Sequence, residues 1–330
     1  MKRVEKTMPR VSPNMVAVWR LFKTNPAIWT ILGLVVIFSA IVPERFLSTS
    51  NLVAILRSFA VTAMLAVGPT FVILLGSIDL SFMGIWMFGG ALVWLLYPYL
   101  GLASILVYPI FGLLVGLFNG VVHVKARIPS FILTLAVTAV FAFLTTYVRN
   151  VSGVLTLIVP AYGFLRESPI PYLPSPFLLS LPAIALALFL MFFTKIGTYL
   201  CAIGSNEEGA KLAGINVEKY KVVGFMISGF LTGLGSIAIF VHLGNQTRVD
   251  FDPSELIRGL AAIVLGGTPL AGGMGGPHRS LLGALIYVLI FNGLFLLPGV
   301  DPNHLKLYIG ALLLGAVVIA SKALKGALIT

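Results

Sequence analysis

Residues 51–76 read NLVAILRSFAVTAMLAVGPTFVILLG, an apolar run long enough to decide which solvent the chain folds in. A helix rises about 1.5 Å per residue, and about 20 mostly apolar residues cross the roughly 30 Å of hydrocarbon in a bilayer. The run therefore reads as a membrane span. Others like it lie at about 27–42, 80–97, 101–123, 130–148, 177–195, 220–244, 255–271, 280–297 and 304–321. Together they predict an all-α, polytopic integral membrane protein of about ten transmembrane helices. The composition agrees, since 58% hydrophobic and 10% charged residues over 330 positions lie far outside the range of soluble domains. No gap between the runs accommodates a second, soluble domain. The chain divides into a polar segment, 1–26, and a transmembrane domain, 27–330.

Lysine and arginine set the orientation. Lys2, Arg3, Lys6, Arg10, Arg20 and Lys23 precede the first run, which places the amino terminus in the cytoplasm. Alternating from there, the same side receives Lys125, Arg127, Lys195, Lys211, Lys219, Lys221, Arg279, Lys322 and Lys325, so both termini are expected inside. The net charge of +11 is accounted for by this bias and by anionic lipid head groups, with no nucleic acid as partner. The first run follows a long polar leader, and no A-x-A-like site follows LVVIFSAIVPERF, so it is read as a retained span. A lone cysteine, Cys201, excludes an internal disulfide and a cysteine-built metal site.

Nothing in the chain points to catalysis. There is no G-x-x-x-x-G-K-[ST] phosphate loop, and GGTPLAGGMGG (266–276) lacks the lysine. Its glycines suit close helix packing and broken helices at a membrane boundary. His123, His242, His278 and His304 share no i, i+4 spacing, so no metal site is expected. The middles of the spans carry essentially no charge that could relay an ion. They carry neutral polar groups, among them Thr62, Thr70, Asn119, Thr134, Thr138, Ser228 and Asn292. Such groups can hydrogen-bond a neutral hydroxylated solute or join helices. Asn119, Asn292 and Thr70 are the candidates for a solute pathway, the two amides because they are harder to satisfy in lipid than a hydroxyl that can bond its own helix.

Two stretches echo one another. VILLGSIDLSFMG (72–84) and IVLGGTPLAGGMG (263–275) share their aliphatic, glycine and hydroxyl run and a Met-Gly. Both fall where a span running inward reaches the cytoplasm, which implies a parallel repeat about an axis along the membrane normal.

These residues also carry a family resemblance. GSIDLSFMG (76–84) resembles the Gly-Ile-Asp-Leu-Ser-Val-Gly signature of the permease subunits of ribose-type bacterial ABC importers, with Ser77 and Phe82 at positions more often Gly and Val. AIGSNEEGAKLAGINVEKYKV is similar to their cytoplasmic coupling segment, and ELIRGLAAIVLGGTPLAGGMGG (255–276) to a third stretch of the family. The branched-chain amino acid permeases share the coupling segment but show an Asn-Phe-Ala-His-Gly-like pattern in place of IDLSFMG, which favours the sugar branch. The resemblance implies a permease in the bacterial inner membrane that imports a monosaccharide or similar polyhydroxylated solute. It also implies a second permease copy or paralogue, two ATPase subunits that hold ATP and Mg, and a periplasmic binding protein. The chain itself then needs no cofactor. An ion-coupled or passive small-solute transporter, and a permease for a nucleoside or a branched-chain amino acid, are the alternatives.

Three local readings follow. In the coupling segment, about 202–216, Ser205 and Glu208 match a capping box, Gly214 closes the helix and Asn216 caps the next. Helix 206–213 reaches only about 12 Å, too short to cross a membrane. As a coupling helix it would seat Ala210, Leu212 and Ile215 in the ATPase, with Asn206, Glu207 and Glu208 at the rim; otherwise it is a plain connector. Asp79 and Ser81 read either as the N-cap of the third span or as a gate turn. Arg248, Asp250, Asp252 and Glu255 form either a docking rim for the binding protein or a solvated loop.

Overall fold

The computed structural model describes residues 26–301 together with 304, 307, 308, 310 and 311. Twelve α-helices are described: α1 (Pro26–Ile41), α2 (Pro43–Phe46), α3 (Thr49–Leu74), α4 (Phe82–Leu100), α5 (Val107–Ala126), α6 (Ser130–Ser152), α7 (Ser175–Phe192), α8 (Lys195–Ser205), α9 (Glu207–Leu212), α10 (Val217–His242), α11 (Pro253–Leu265) and α12 (Pro277–Leu296). Among the described residues, six stretches are long and apolar enough to cross a membrane: 49–74, 82–126, 130–152, 175–192, 217–242 and 277–296. The second contains two of the runs read from the sequence. Gly101, at φ +54°, and a 3-10 segment, Gly101–Leu106, turn α4 into α5, and Phe88 meets Phe111 edge-on at 5.6 Å as the two lie side by side.

The first run, 27–42, forms α1, of the 16 residues expected, and one run gives a shorter helix than the sequence predicts. Run 255–271 yields α11, of 13 residues, because the helix stops before Gly267, whose φ of +87° ends it in the left-handed conformation. The segment 1–25 and most of run 304–321 lie outside the described residues.

α3 and α10 form the centre. Ser48 caps α3 by accepting from Asn51 N–H, and Asn216 caps α10 by accepting from Lys219 N–H at 3.0 Å, as its sequence predicts. α10 packs along α5 with almost no side chain between them. A Cβ on Gly112 would lie 2.1 Å from the Gly229 carbonyl oxygen, and one on Gly229 would lie 2.0 Å from that of Gly112. Gly116 and Gly120 continue the seam against Phe225 and Val222. Glycines at i, i+4 and i+8 let the backbones touch, so dispersion and weak Cα–H contacts replace the hydrophobic effect, which lipid does not supply.

Candidate functional site

The polar features gather at opposite ends of the bundle. At one end, α3 and α11 finish in the same cap. Gly76 N–H donates to Ile73 O and Ser77 N–H to Val72 O; Gly267 N–H donates to Val264 O and Thr268 N–H to Ile263 O. These are corresponding positions of the echoed stretches, with Gly76 at φ +75°. The two turns then touch, as Gly273 N–H donates to Leu74 O at 3.0 Å.

Asp79 lies in the first turn, fully buried. Its Oδ1 accepts from Ser81 N–H at 2.9 Å and Ser81 Oγ–H at 2.6 Å, and its Oδ2 from Ser228 Oγ–H on α10 at 2.7 Å. Asn119 Nδ2 of α5 donates to Ser81 Oγ at 2.9 Å. Burial pushes the carboxyl above the ordinary range while the Ser81 and Ser228 hydrogen bonds pull it down. This corrects the cap reading. Ser81 stands at the N-cap position of α4, but neither it nor Asp79 caps the helix through its side chain, because both are engaged with one another and with α10. Asn119 joins this knot through its Nδ2, while its Oδ1 is buried without a partner. Thr70 is also occupied, donating to Ala66 O and sharing a 2.7 Å hydrogen bond with Ser280 of α12.

α9 hangs beside these turns. Asn206, not Ser205, is its cap, accepting from Gly209 N–H at 2.9 Å, and the helix runs 207–212 rather than 206–213. Ser205 instead ends α8, and its hydroxyl donates to Gly273 O in the second turn at 3.1 Å. Gly214 closes α9 at φ +81°. Ala210 is buried and Ile215, half-buried, packs on the permease core. Leu212 is 90% exposed. Glu207 bridges Lys221 at 2.7 Å and Lys211 at 3.0 Å, and these two ammonium groups hold its carboxyl below the ordinary range. Glu208 is exposed.

At the other end, Asp252 caps α11 through Ser254 N–H and pairs with Arg248 at 3.2 Å. Glu255 pairs with Arg248 and with Arg258, and Arg258 donates to Thr62 Oγ1 at 2.7 Å. Asp250 is exposed at the edge of this cluster. The cluster borders a cavity of about 480 Å³ whose walls include Arg258, Tyr287, Phe291 and Asn292. Asn292 Nδ2 donates to Asn51 at 2.8 Å, which leaves its Oδ1 buried without a partner. The sequence reading missed Arg258 and Asn51 as parts of this site. Their signal was weak, since each is a single polar residue near a span end. Among the described residues, no three His, Cys, Asp or Glu side chains gather as a metal set.

Residues 51–321 match the family model described as branched-chain amino acid transport system / permease component. The chain is 34% identical to the ribose import permease protein of Haemophilus influenzae over 270 residues, covering 80% of this chain and 83% of that one. It is 33% identical to the ribose import permease protein of Bacillus subtilis, covering 88% and 91%. It is 30% identical to the D-allose transport system permease protein of Escherichia coli, covering 88% of each. No solved structure matches. With the family model matched over 51–321 and relatives above 30% identical across most of its length, the chain belongs to this permease family, as a ribose-type member of the ABC importers.

Proposed function

We propose that the chain is the membrane subunit of an ATP-driven importer in a bacterial inner membrane, forming the path for a monosaccharide or similar polyhydroxylated solute. The exposed leucine of α9 carries this reading. A helix of 6 residues is too short to stand alone, and its Leu212 side chain, 90% exposed on a polar segment, is available for a partner to cover. An ATPase subunit, which holds the ATP and Mg, is that partner. The chain crosses the membrane about ten times with both termini inside, and the matching caps of α3 and α11 support a parallel repeat. A second permease, copy or paralogue, completes the path. The test is co-purification with a P-loop ATPase and ATP-dependent uptake of labelled D-ribose, D-xylose or D-allose. Uptake that continues without an ATPase would point to a passive or ion-coupled transporter instead.

The outer cavity is where the solute meets this chain. The partnerless Asn292 Oδ1, the Arg258 guanidinium and the Tyr287 ring offer an acceptor, donors and an apolar face, the combination that recognises hydroxyls on a carbon ring. Asn292→Leu is expected to lower uptake about tenfold, the scale of one buried hydrogen bond, without lowering the amount of assembled complex. Unchanged uptake removes Asn292 from the path.

The Arg248, Asp250, Asp252 and Glu255 rim seats the binding protein. Asp250→Lys is the cleanest probe, because Asp252 also caps α11 and its replacement would cost about 1 kcal/mol of helix stability. Docking of the binding protein is expected to weaken a few-fold at low ionic strength and to recover in high salt. An affinity equal to the parent's at every salt concentration leaves the rim a solvated loop.

A further inference from the structure

We propose that the two touching turns are the lever by which α9 moves α6. The proposal rests on the coupling reading of α9 and adds the route by which motion leaves it. The contacts along this route have no slack. A Cβ on Gly204, two residues before the α9 cap, would lie 2.0 Å from Leu74 O and 2.6 Å from Gly273 N. Ser205 then bonds Gly273 O, and Gly273 N–H bonds Leu74 O. Close-packed backbone cannot be compressed, so displacing the end of α8 displaces the turn that follows α3.

On its far side that turn is gripped by three hydroxyls of α6, spaced four residues apart and so aligned on one face. Ser130 Oγ accepts from Ile78 N–H at 3.0 Å, Thr134 Oγ1 accepts from Leu80 N–H at 2.9 Å, and Thr138 Oγ1 donates to Leu80 O at 2.8 Å. Between these rungs, Asp79 ties the turn to Ser228 on α10, which makes α10 the pivot. α6 is free to respond, since it packs chiefly on α4 and leaves Phe131, Leu135, Phe143 and Tyr147 exposed. The competing route runs directly from α9 into α10. It runs through residues 213–216, which join the two helices, and through the Glu207–Lys221 pair, whose Glu207 side chain is 42% exposed and which is therefore weak. It also requires motion of the helix most tightly locked by glycine contacts to α5.

The test uses the full permease assembled with its ATPase in lipid nanodiscs. Phe143→Cys in a Cys201→Ser background carries an environment-sensitive fluorophore, and ATP with vanadate supplies the ATPase closure. The expected result is a spectral shift in the parent that falls at least about fivefold in Thr134→Val/Thr138→Val and in Ser205→Ala, while ATPase binding and ATP hydrolysis stay within about twofold. Combining the variants of the two ends should do no further harm, because both interrupt one route. Threonine to valine preserves shape but leaves the Leu80 N–H and C=O without those partners, so shifts are compared at matched amounts of assembled complex. Ser205→Ala removes only a hydroxyl at the exposed end of α8 and carries the test by itself if the double variant assembles poorly. A parental shift in either variant overturns the lever, as do effects that multiply on combination. If the parent complex binds no ATPase at all, the functional reading fails first.

Discussion

Gly229→Val is expected to remove nearly all folded permease from the membrane. A Cβ at this position would lie 2.0 Å from the Gly112 carbonyl oxygen and 3.0 Å from Gly116 N, and neither atom belongs to a side chain that could rotate away. The two helices would have to separate along their whole shared seam. That separation would break the Gly112, Gly116 and Gly233 contacts together and carry α10 away from the Asp79 turn that Ser228 holds. Overpacking alone costs about 1–3 kcal/mol, and loss of the coupled seam adds to it. At tenfold per 1.4 kcal/mol, the yield of monodisperse protein in mild detergent should fall by at least about tenfold. Gly33→Ala on α1 is the control, since nothing lies within 4 Å of the added carbon, and it should leave the yield unchanged. Equal yields for the two variants would show that the seam does not hold the bundle together.

The second large effect is expected at the exposed end of α9. Leu212→Asp should leave the permease folded, because this side chain is 90% exposed and touches little of its own chain. ATPase association should weaken at least about thirtyfold. Covering a leucine contributes about 1.5–3 kcal/mol, and a carboxylate buried there without a partner adds a desolvation cost. Pull-down of the ATPase by tagged permease, at matched permease amounts, measures the loss. Glu207→Arg is a poorer probe, since it would set a third cation beside Lys211 and Lys221 and disturb the permease itself. Retained binding by Leu212→Asp would make α9 a connector.

The coupling segment shows how far local reasoning reaches. Asn216 and Gly214 were legible because a cap or a left-handed glycine acts within its own turn. Ser205 was not. Ser-x-x-Glu is a sound capping pattern, but a serine hydroxyl is also free to bond elsewhere, and Gly273 O lies within reach only because α8 folds against the second turn. Asn206 then takes over the cap with its own amide oxygen. Asp79 fails as a local cap for the same reason, since its second oxygen is claimed by Ser228, 149 positions away. The glycine seam, by contrast, was visible as Gly112, Gly116 and Gly120 at i, i+4 spacing and passed unread.

What the sequence determined by itself was the solvent, the helical class and the polar segments that interrupt the apolar runs. Those follow from composition and from the length of hydrocarbon to be crossed, which are properties of single segments. The tertiary structure decided which polar groups meet. Asn119 and Asn292 are alike in sequence, each a lone amide in an apolar run, and each keeps a buried oxygen without a partner, yet one donates into the Asp79 knot and the other lines a cavity. An amide finds its partner across the bundle, through whichever helix face the packing turns toward it, and that face is set by contacts between segments far apart in the chain.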